Sequence, residues 1–236
     1  MVSHQNKCIY VHLPKVAGTS ISKALEDSDA DKKHLNLKPF LANDFKFSPP
    51  PPHYRISDYL QYEDISQQQF DSYFKFSFVR NPWDRLVSEY KYRHHARKIT
   101  FKDFIFNYFP QPSWSDEYCH IIPQYDFLYD ENGTKLVDYI GKFENLQNDF
   151  NEVCKILEIP PIILSHSNSS QNISRRRTDI GICELLKKIR DKLSWTQKLN
   201  TFKHYSEYYD IETQQYVADL YKNDVETFQY TFTQSE

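Results

Sequence analysis

The chain has 236 residues, a formal net charge of −3, and 26% charged against 39% hydrophobic residues, enough for one α/β domain with a real core, and it carries no Gly/Ser linker or break in composition that would divide it. A sequence pI near 6.3 argues against nucleic acid as an obligatory partner, and no stretch approaches the ~20 apolar residues of a membrane span or the core of a signal peptide. Aromatic residues make up 16% of the chain, but they serve core packing, base stacking and sugar stacking alike and so favour no function.

In chain order, the apolar run Cys8 to Leu13 predicts a strand, Pro14 to Ser20 a tight turn, and Ile21 to Leu25 the start of a helix reaching about Asp27. A polar stretch with Ser48 and the consecutive prolines Pro49 to Pro52 follows; it must be extended and stiff, and it delivers His53 to a defined place. Ile56 to Phe70 is helical in parts, and Tyr73 to Val79 is a second strand. The next helix, Pro82 to His95, is entered through Asn81 as N-cap and Pro82 at the first helical position. Phe101 to Phe109 gives a short helix, and Val137 to Ile140 a strand leading into a helix over Glu144 to Leu157. At the C-terminal end, Val217, Leu220, Tyr221, Val225 and Phe228 fall close to helical spacing, predicting one helix over Glu212 to Phe228 packed on the core. Strands alternating with helices imply an α/β fold with a mainly parallel central sheet flanked by helices. A site then belongs at the carboxyl ends of the strands.

Two segments fall at such ends. Pro14-Lys15-Val16-Ala17-Gly18-Thr19-Ser20 aims several backbone N–H groups, a helix dipole and one lysine at a single anion. Val79-Arg80-Asn81-Pro82-Trp83-Asp84-Arg85-Leu86-Val87-Ser88 leaves a guanidinium, Arg80, and a hydroxyl, Ser88, able to hold a second phosphate. Taken singly, the first is a common small-residue turn and the second a helix start with an Arg85 salt bridge; together, in this order, they point to one shared site. The first is not a kinase P-loop, because Lys15 precedes Gly18 and no second glycine is present.

On these residues the chain resembles the carbohydrate sulfotransferases that use 3′-phosphoadenosine 5′-phosphosulfate (PAPS), the branch of the heparan and chondroitin enzymes and shorter bacterial relatives. Their loop for the 5′-phosphosulfate is similar to Pro14 to Ser20, and their segment for the 3′-phosphate to Val79 to Tyr90. The likeness extends to Val137 to Leu146 and to His204 through Tyr230, covering roughly residues 5–165 and 200–232. Residues 169–200 depart from the pattern and look like an insertion in a single domain spanning 1–236. The resemblance implies a P-loop-like three-layer fold and transfer of a sulfuryl group from PAPS to a hydroxyl of a carbohydrate or glycan acceptor. PAPS would lie on Lys15, Val16, Ala17, Gly18, Thr19, Ser20, Arg80 and Ser88.

Such transfer is mostly positioning and electrostatics. Lys15 and the backbone of Ala17 to Ser20 suit the sulfuryl oxygens and the leaving phosphate. For the base, histidine is the natural type, with an unperturbed pKa near about 6.5, and the resemblance implies His53, which stands between the two motifs as the family's histidine does. His12 has a structural role in this reading, and His34 is a weaker rival. Lys91, Arg93, His94, His95, Arg97 and Lys98 form one basic cluster and Arg175 to Arg177 another; each is a solvated face or a site for an anionic acceptor.

Cys8, Cys119, Cys154 and Cys183 show no zinc spacing and fit reduced thiols. The sequons at Asn132, Asn168 and Asn172 are then chance matches, and the nine histidines lack ligand spacing, so no metal is expected. The chain begins shortly before its first strand, which fits a soluble, bacterial-like cytoplasmic protein, with the Golgi lumen as the alternative for a truncated catalytic domain. A P-loop-like kinase of a small hydroxyl compound and a catalytically idle PAPS-binding module are the competing readings.

Overall fold

The computed structural model describes residues 1–28, 53–62, 65–113, 115–165 and 202–235. His34, Ser48, Pro49 to Pro52, Asn168, Asn172, Arg175 to Arg177, Cys183 and the 169–200 stretch lie outside them. The described residues fall into two compact units, 1–81 with 110–165 and 223–230, and 82–109 with 202–222 and 231–235.

The first unit is built on a four-stranded sheet of order β1 (Val2–Ser3), β2 (Cys8–Val11), β3 (Phe74–Val79) and β4 (Tyr139–Lys142). Every residue of β2 is buried, which is why it is an unbroken apolar run. β2 and β3 pair in parallel from Cys8 opposite Phe74 to Val11 opposite Ser77, and β3 and β4 in parallel from Phe76 opposite Tyr139 to Val79 opposite Lys142. The one polar side chain in the middle of β3 is accommodated because the Ser77 hydroxyl donates to the Val11 carbonyl at 2.7 Å. The predicted α/β class with a mainly parallel sheet flanked by helices is what the chain forms. β1, antiparallel to β2, is an addition that two residues were too short to signal.

Helix α1 (Gly18–Ser28) follows the first loop, and α2 (Tyr59–Tyr62) and α3 (Gln67–Ser72) lead into β3. Ser66 caps α3, accepting from the Gln69 N–H while the Gln69 side chain accepts from the Ser66 N–H. After β4, a short 3-10 turn over Phe143–Asn145 precedes the helix Leu146–Ile156, which buries Phe150, Val153 and Cys154 on one face.

The second unit holds the helix Pro82–Tyr92 and the helix Phe101–Asn107 around an aromatic cluster. Phe101 lies edge-on to Tyr90 at 5.1 Å and to Tyr209 at 4.8 Å between ring centres. The Trp83 indole N–H donates to the Gln214 carbonyl, and the Tyr209 hydroxyl to the Trp83 carbonyl.

The helix Phe101–Asn107 and the helix Leu146–Ile156 fall one or two residues short of their predicted ends, and two other helices differ further. The helix expected to run to His95 ends at Tyr92, because His94 turns into the left-handed region at φ 60° and donates to the Lys91 carbonyl, closing a tighter last turn. The helix expected over Glu212 to Phe228 is two, Ile211–Leu220 and Lys222–Thr227, broken at Tyr221. Leu220 is 37% exposed and Val225 half-buried. The buried residues are Thr213, Val217, Tyr221, Asp224 and Phe228, a stripe of helical spacing with a carboxylate at one position. Polar demand decided that register: three N–H groups converge on Asp224.

Tyr10 is fully buried, its ring 5.2 Å from Phe76 and 5.7 Å from His12, and its hydroxyl has no hydrogen-bond partner among the described residues. Burial pushes that phenol far above its ordinary pKa. A buried donor without a partner costs about 1–3 kcal/mol. Tyr10→Phe is therefore expected to leave the Tm unchanged or raise it; a drop of more than ~4 °C in a calorimetric scan, about 1 kcal/mol for a chain of this kind, would show that the hydroxyl is bonded after all.

Candidate functional site

The loop after β2 owes its shape to two residues in an uncommon conformation. Lys15 and Ala17 stand at φ 67° and 64°, while Val16 and Gly18 between and after them keep negative φ. Left-handed backbone at a non-glycine residue costs roughly 1–3 kcal/mol and gathers at functional sites. Such alternation turns successive N–H groups to one side and makes an anion-binding concavity. Amide bonding in this turn begins with Ser20 and Ile21, which both donate to the Ala17 carbonyl at 2.9 and 3.2 Å. The N–H groups of Val16, Ala17, Gly18 and Thr19 have no partner among the described residues. They sit at the N-terminus of α1, where the helix dipole favours an anion.

Of the residues the sequence placed at this loop, Lys15 and Ala17 are half-buried, Val16 and Gly18 are buried, and Thr19 is exposed. Ser20 is buried, with its hydroxyl donating to the Ser165 carbonyl at 2.7 Å, so its bonds hold the turn to the chain at Ser165.

Gly18 is required by a ring. A Cβ built there would stand 1.7 Å from His12 Nε2 and 1.9 Å from Cδ2, so the imidazole of His12 lies directly on the Gly18 backbone. Burial first, then His53, the N-terminal ammonium and His120, push the His12 pKa well below the histidine range. His12 is thus neutral and packs the loop without adding charge to it.

His53 is 7% exposed, and its Nδ1 is 2.9 Å from the His12 carbonyl. A carbonyl only accepts, so Nδ1 carries the hydrogen, and in the neutral tautomer this selects, the lone pair belongs to Nε2. The His53 ring meets His12 edge-on at 4.7 Å and His120 at 5.1 Å. His120 is itself buried, with Nε2 3.4 Å from Asp116 Oδ1. Three histidine rings therefore adjoin in succession beside Gly18. Among the described residues no group of three His, Cys, Asp or Glu is placed to hold a metal ion.

The second segment meets the first directly. The Arg80 guanidinium donates through Nη1 to the Lys15 carbonyl at 3.1 Å and lies over the Phe143 ring, 4.1 Å from its centre. The main chain of Arg80 is held on both sides by one side chain: Gln124 Oε1 accepts from the Arg80 N–H and Gln124 Nε2 donates to the Arg80 carbonyl, each at 2.8 Å. The next N–H, of Asn81, donates to Glu144 Oε1 at 2.7 Å, and Glu144 Oε2 accepts from the Tyr230 hydroxyl. Ser88 is half-buried on the helix Pro82–Tyr92, in the second unit.

Sequence reasoning missed His120, Gln124, Phe143 as the plate under Arg80, Glu144 and Asp224. For His120 and Gln124 the only available signal was two polar residues flanking the apolar run Ile121 to Pro123, and for Asp224 a charge within an apolar stripe.

An α/β sheet with a turn of unpartnered N–H groups at the end of one strand and an arginine at the end of its parallel neighbour has the geometry suited to phosphate or sulfate groups. The model of the sulfotransferase family matches residues 1–231, and the chain belongs to that family. It is accordingly a transferase of sulfuryl groups, taking them from a sulfonate donor to an acceptor. An uncharacterized protein of Archaeoglobus fulgidus is 31% identical over 117 residues, 48% of this chain and 91% of its own length. No solved structure matches. Among the described residues no helix is long and apolar enough to cross a membrane.

Because the His12 ring occupies the space where a side chain at position 18 would begin, Gly18→Ala is expected to lower stability by at least about 1–3 kcal/mol, the usual cost of overpacking. Combining it with His12→Ala removes the collision and should recover most of the lost Tm. A single Gly18→Ala variant as stable as the wild type in thermal melts would contradict the packing described.

Proposed function

We propose that this sulfotransferase uses PAPS as donor and a hydroxyl of a carbohydrate or glycan as acceptor, releasing adenosine 3′,5′-bisphosphate and a sulfate ester. The hydrogen bond from Arg80 to the Lys15 carbonyl carries the reading, since a donor with a phosphosulfate at one end and a phosphate on its ribose needs two anion sites side by side. The residues of the first unit fit such a molecule: the N–H groups of Val16 to Thr19 with Lys15 suit the 5′-phosphosulfate, Ser20 secures their turn, and Arg80 suits the 3′-phosphate, to which Ser88 is added by the sequence resemblance alone. The N–H groups of Arg80 and Asn81 are already engaged by Gln124 and Glu144, which leaves recognition on that side to side chains.

In the reaction the acceptor oxygen bonds to sulfur as the bond from sulfur to the 5′-phosphate oxygen breaks, and its electron pair leaves with the phosphate. Lys15 and the loop amides stabilise the charge that builds on that phosphate and on the sulfuryl oxygens. His53 takes the acceptor's proton on Nε2, with the His12 carbonyl holding the opposite nitrogen in the required tautomer. No metal enters this reading, because the sulfuryl group carries less charge than a terminal phosphate. The carbohydrate acceptor is supported by the sequence resemblance and by the basic turn after the helix Pro82–Tyr92, where Arg97 and Lys98 are exposed while Arg93 pairs with Glu89 at 2.7 Å. A cytoplasmic location belongs to the same reading, supported by the wide spacing of the four cysteines.

The deciding experiment compares nucleotides. Adenosine 3′,5′-bisphosphate should raise the Tm of the wild type, and ATP with Mg²⁺ should not; the opposite result would favour the kinase. By calorimetric titration, Arg80→Ala should weaken adenosine 3′,5′-bisphosphate by about 1.5–3 kcal/mol, the range for a lost hydrogen bond to a charged group, and weaken adenosine 5′-phosphate much less. Arg80 also holds the Lys15 carbonyl, so the ratio of the two losses decides, and equal losses would remove the 3′-phosphate from its role.

For the chemistry, His53→Asn is the informative change, since an asparagine N–H can keep donating to the His12 carbonyl while the Nε2 base is deleted. It should lower kcat by about 10²-fold or more and leave affinity for adenosine 3′,5′-bisphosphate within a few-fold. Near-normal turnover would take His53 out of the proton transfer.

A further inference from the structure

Arg80 is aimed by a carboxylate 144 positions further along the chain. Asp224 and Gln124 are both wholly buried. Asp224 Oδ2 accepts from the Gln124 N–H at 2.9 Å and from Gln124 Nε2 at 3.1 Å, and Oδ1 accepts from the Tyr125 N–H at 2.8 Å. All three of these groups are donors. The bond to Gln124 Nε2 settles which end of that amide faces the carboxylate. The amide oxygen is thereby turned to the Arg80 N–H, and the second hydrogen of Nε2 to the Arg80 carbonyl.

Gln124 thus clamps the residue that follows β3 with two bonds, much as another strand would, and the clamp has its polarity only because Asp224 holds the other hydrogen. Its product is the direction in which the Arg80 side chain leaves the sheet, over Phe143 and toward the Lys15 carbonyl. Stability alone does not call for this arrangement. The other buried positions of the C-terminal stripe are Thr213, Val217, Tyr221 and Phe228, and a buried charge is commonly matched or bettered by an apolar residue of similar volume.

We propose that Asp224 is a positioning residue for anion recognition, acting through Gln124 to set the backbone and hence the guanidinium of Arg80. The proposal rests on the reading that Arg80 holds the 3′-phosphate of the donor. A merely structural Asp224 would support both nucleotide ends alike, whereas a positioning Asp224 acts on the 3′-phosphate alone.

The test titrates the full-length wild type, Asp224→Asn and the volume-conserving Gln124→Met with adenosine 3′,5′-bisphosphate and with adenosine 5′-phosphate, alongside thermal melts. Asp224→Asn replaces one acceptor oxygen with a donor facing donors. It should cut the preference for the bisphosphate by roughly tenfold, as a lost charge-assisted bond does, and leave adenosine 5′-phosphate within about twofold. Gln124→Met should do the same or more. A folded variant that keeps the wild-type preference, or one that loses both nucleotides equally, would overturn the proposal, as would the failure of both variants to fold. A wild type that binds the two nucleotides equally would instead sink the 3′-phosphate reading on which the proposal stands, before any variant is compared.

Discussion

The parallel pairing of β2 with β3 is the constraint on which the rest depends. With Val11 opposite Ser77 and the Ser77 hydroxyl bonded to the Val11 carbonyl, the two strands end at nearly the same height, and the turns that leave them must share one edge of the sheet. Everything chemical in the first unit follows from that edge. A slip of one residue would turn every side chain of a strand to the opposite face and carry Arg80 away from Lys15.

The turn after β2 is expensive to maintain. Lys15 and Ala17 both hold positive φ, and the N–H groups of Val16 to Thr19 have no partner among the described residues. Three contacts oppose relaxation: the His12 ring on Gly18, the Ser20 hydroxyl on Ser165, and the Arg80 guanidinium on the Lys15 carbonyl. Each comes from a different stretch of the chain. In the proposed reading Arg80 serves two purposes, because the group suited to one anion also braces, through the Lys15 carbonyl, the turn suited to the other. This couples the two ends of the site without any moving part.

Around this edge the protein buries polar groups in satisfied sets. Asp224 meets three N–H donors, Gln124 bonds on both sides of its amide, and Glu144 joins the Asn81 N–H to the Tyr230 hydroxyl. Burial, together with the adjacent Glu144, pushes the Tyr230 phenol far above its ordinary pKa, so it remains a hydrogen-bond donor. Fully satisfied networks of this kind specify one geometry where apolar packing would tolerate several. The histidines follow a different logic. His12 is driven neutral by burial, by the two neighbouring rings and by the N-terminal ammonium, and its carbonyl, not its imidazole, orients His53.

Sequence by itself determined the local elements: an apolar run ending in Pro14-Lys15-Val16-Ala17-Gly18 makes a strand and an anion-ready turn, and Asn81-Pro82 starts a helix, because these depend on neighbours a few residues away. It also determined the family, since both motifs are short and dense. What it left open were the partners. Nothing near Asp224 in the chain signals that it belongs under Gln124 and Arg80, and apolar spacing alone set Leu220 and Val225 inward, where the tertiary structure turned Asp224 in to meet three amides. The same holds for His120 against His53 and for Phe143 beneath Arg80. Such contacts join residues separated by dozens of positions, and a hydrogen bond to a distant backbone leaves no periodicity in either segment it connects.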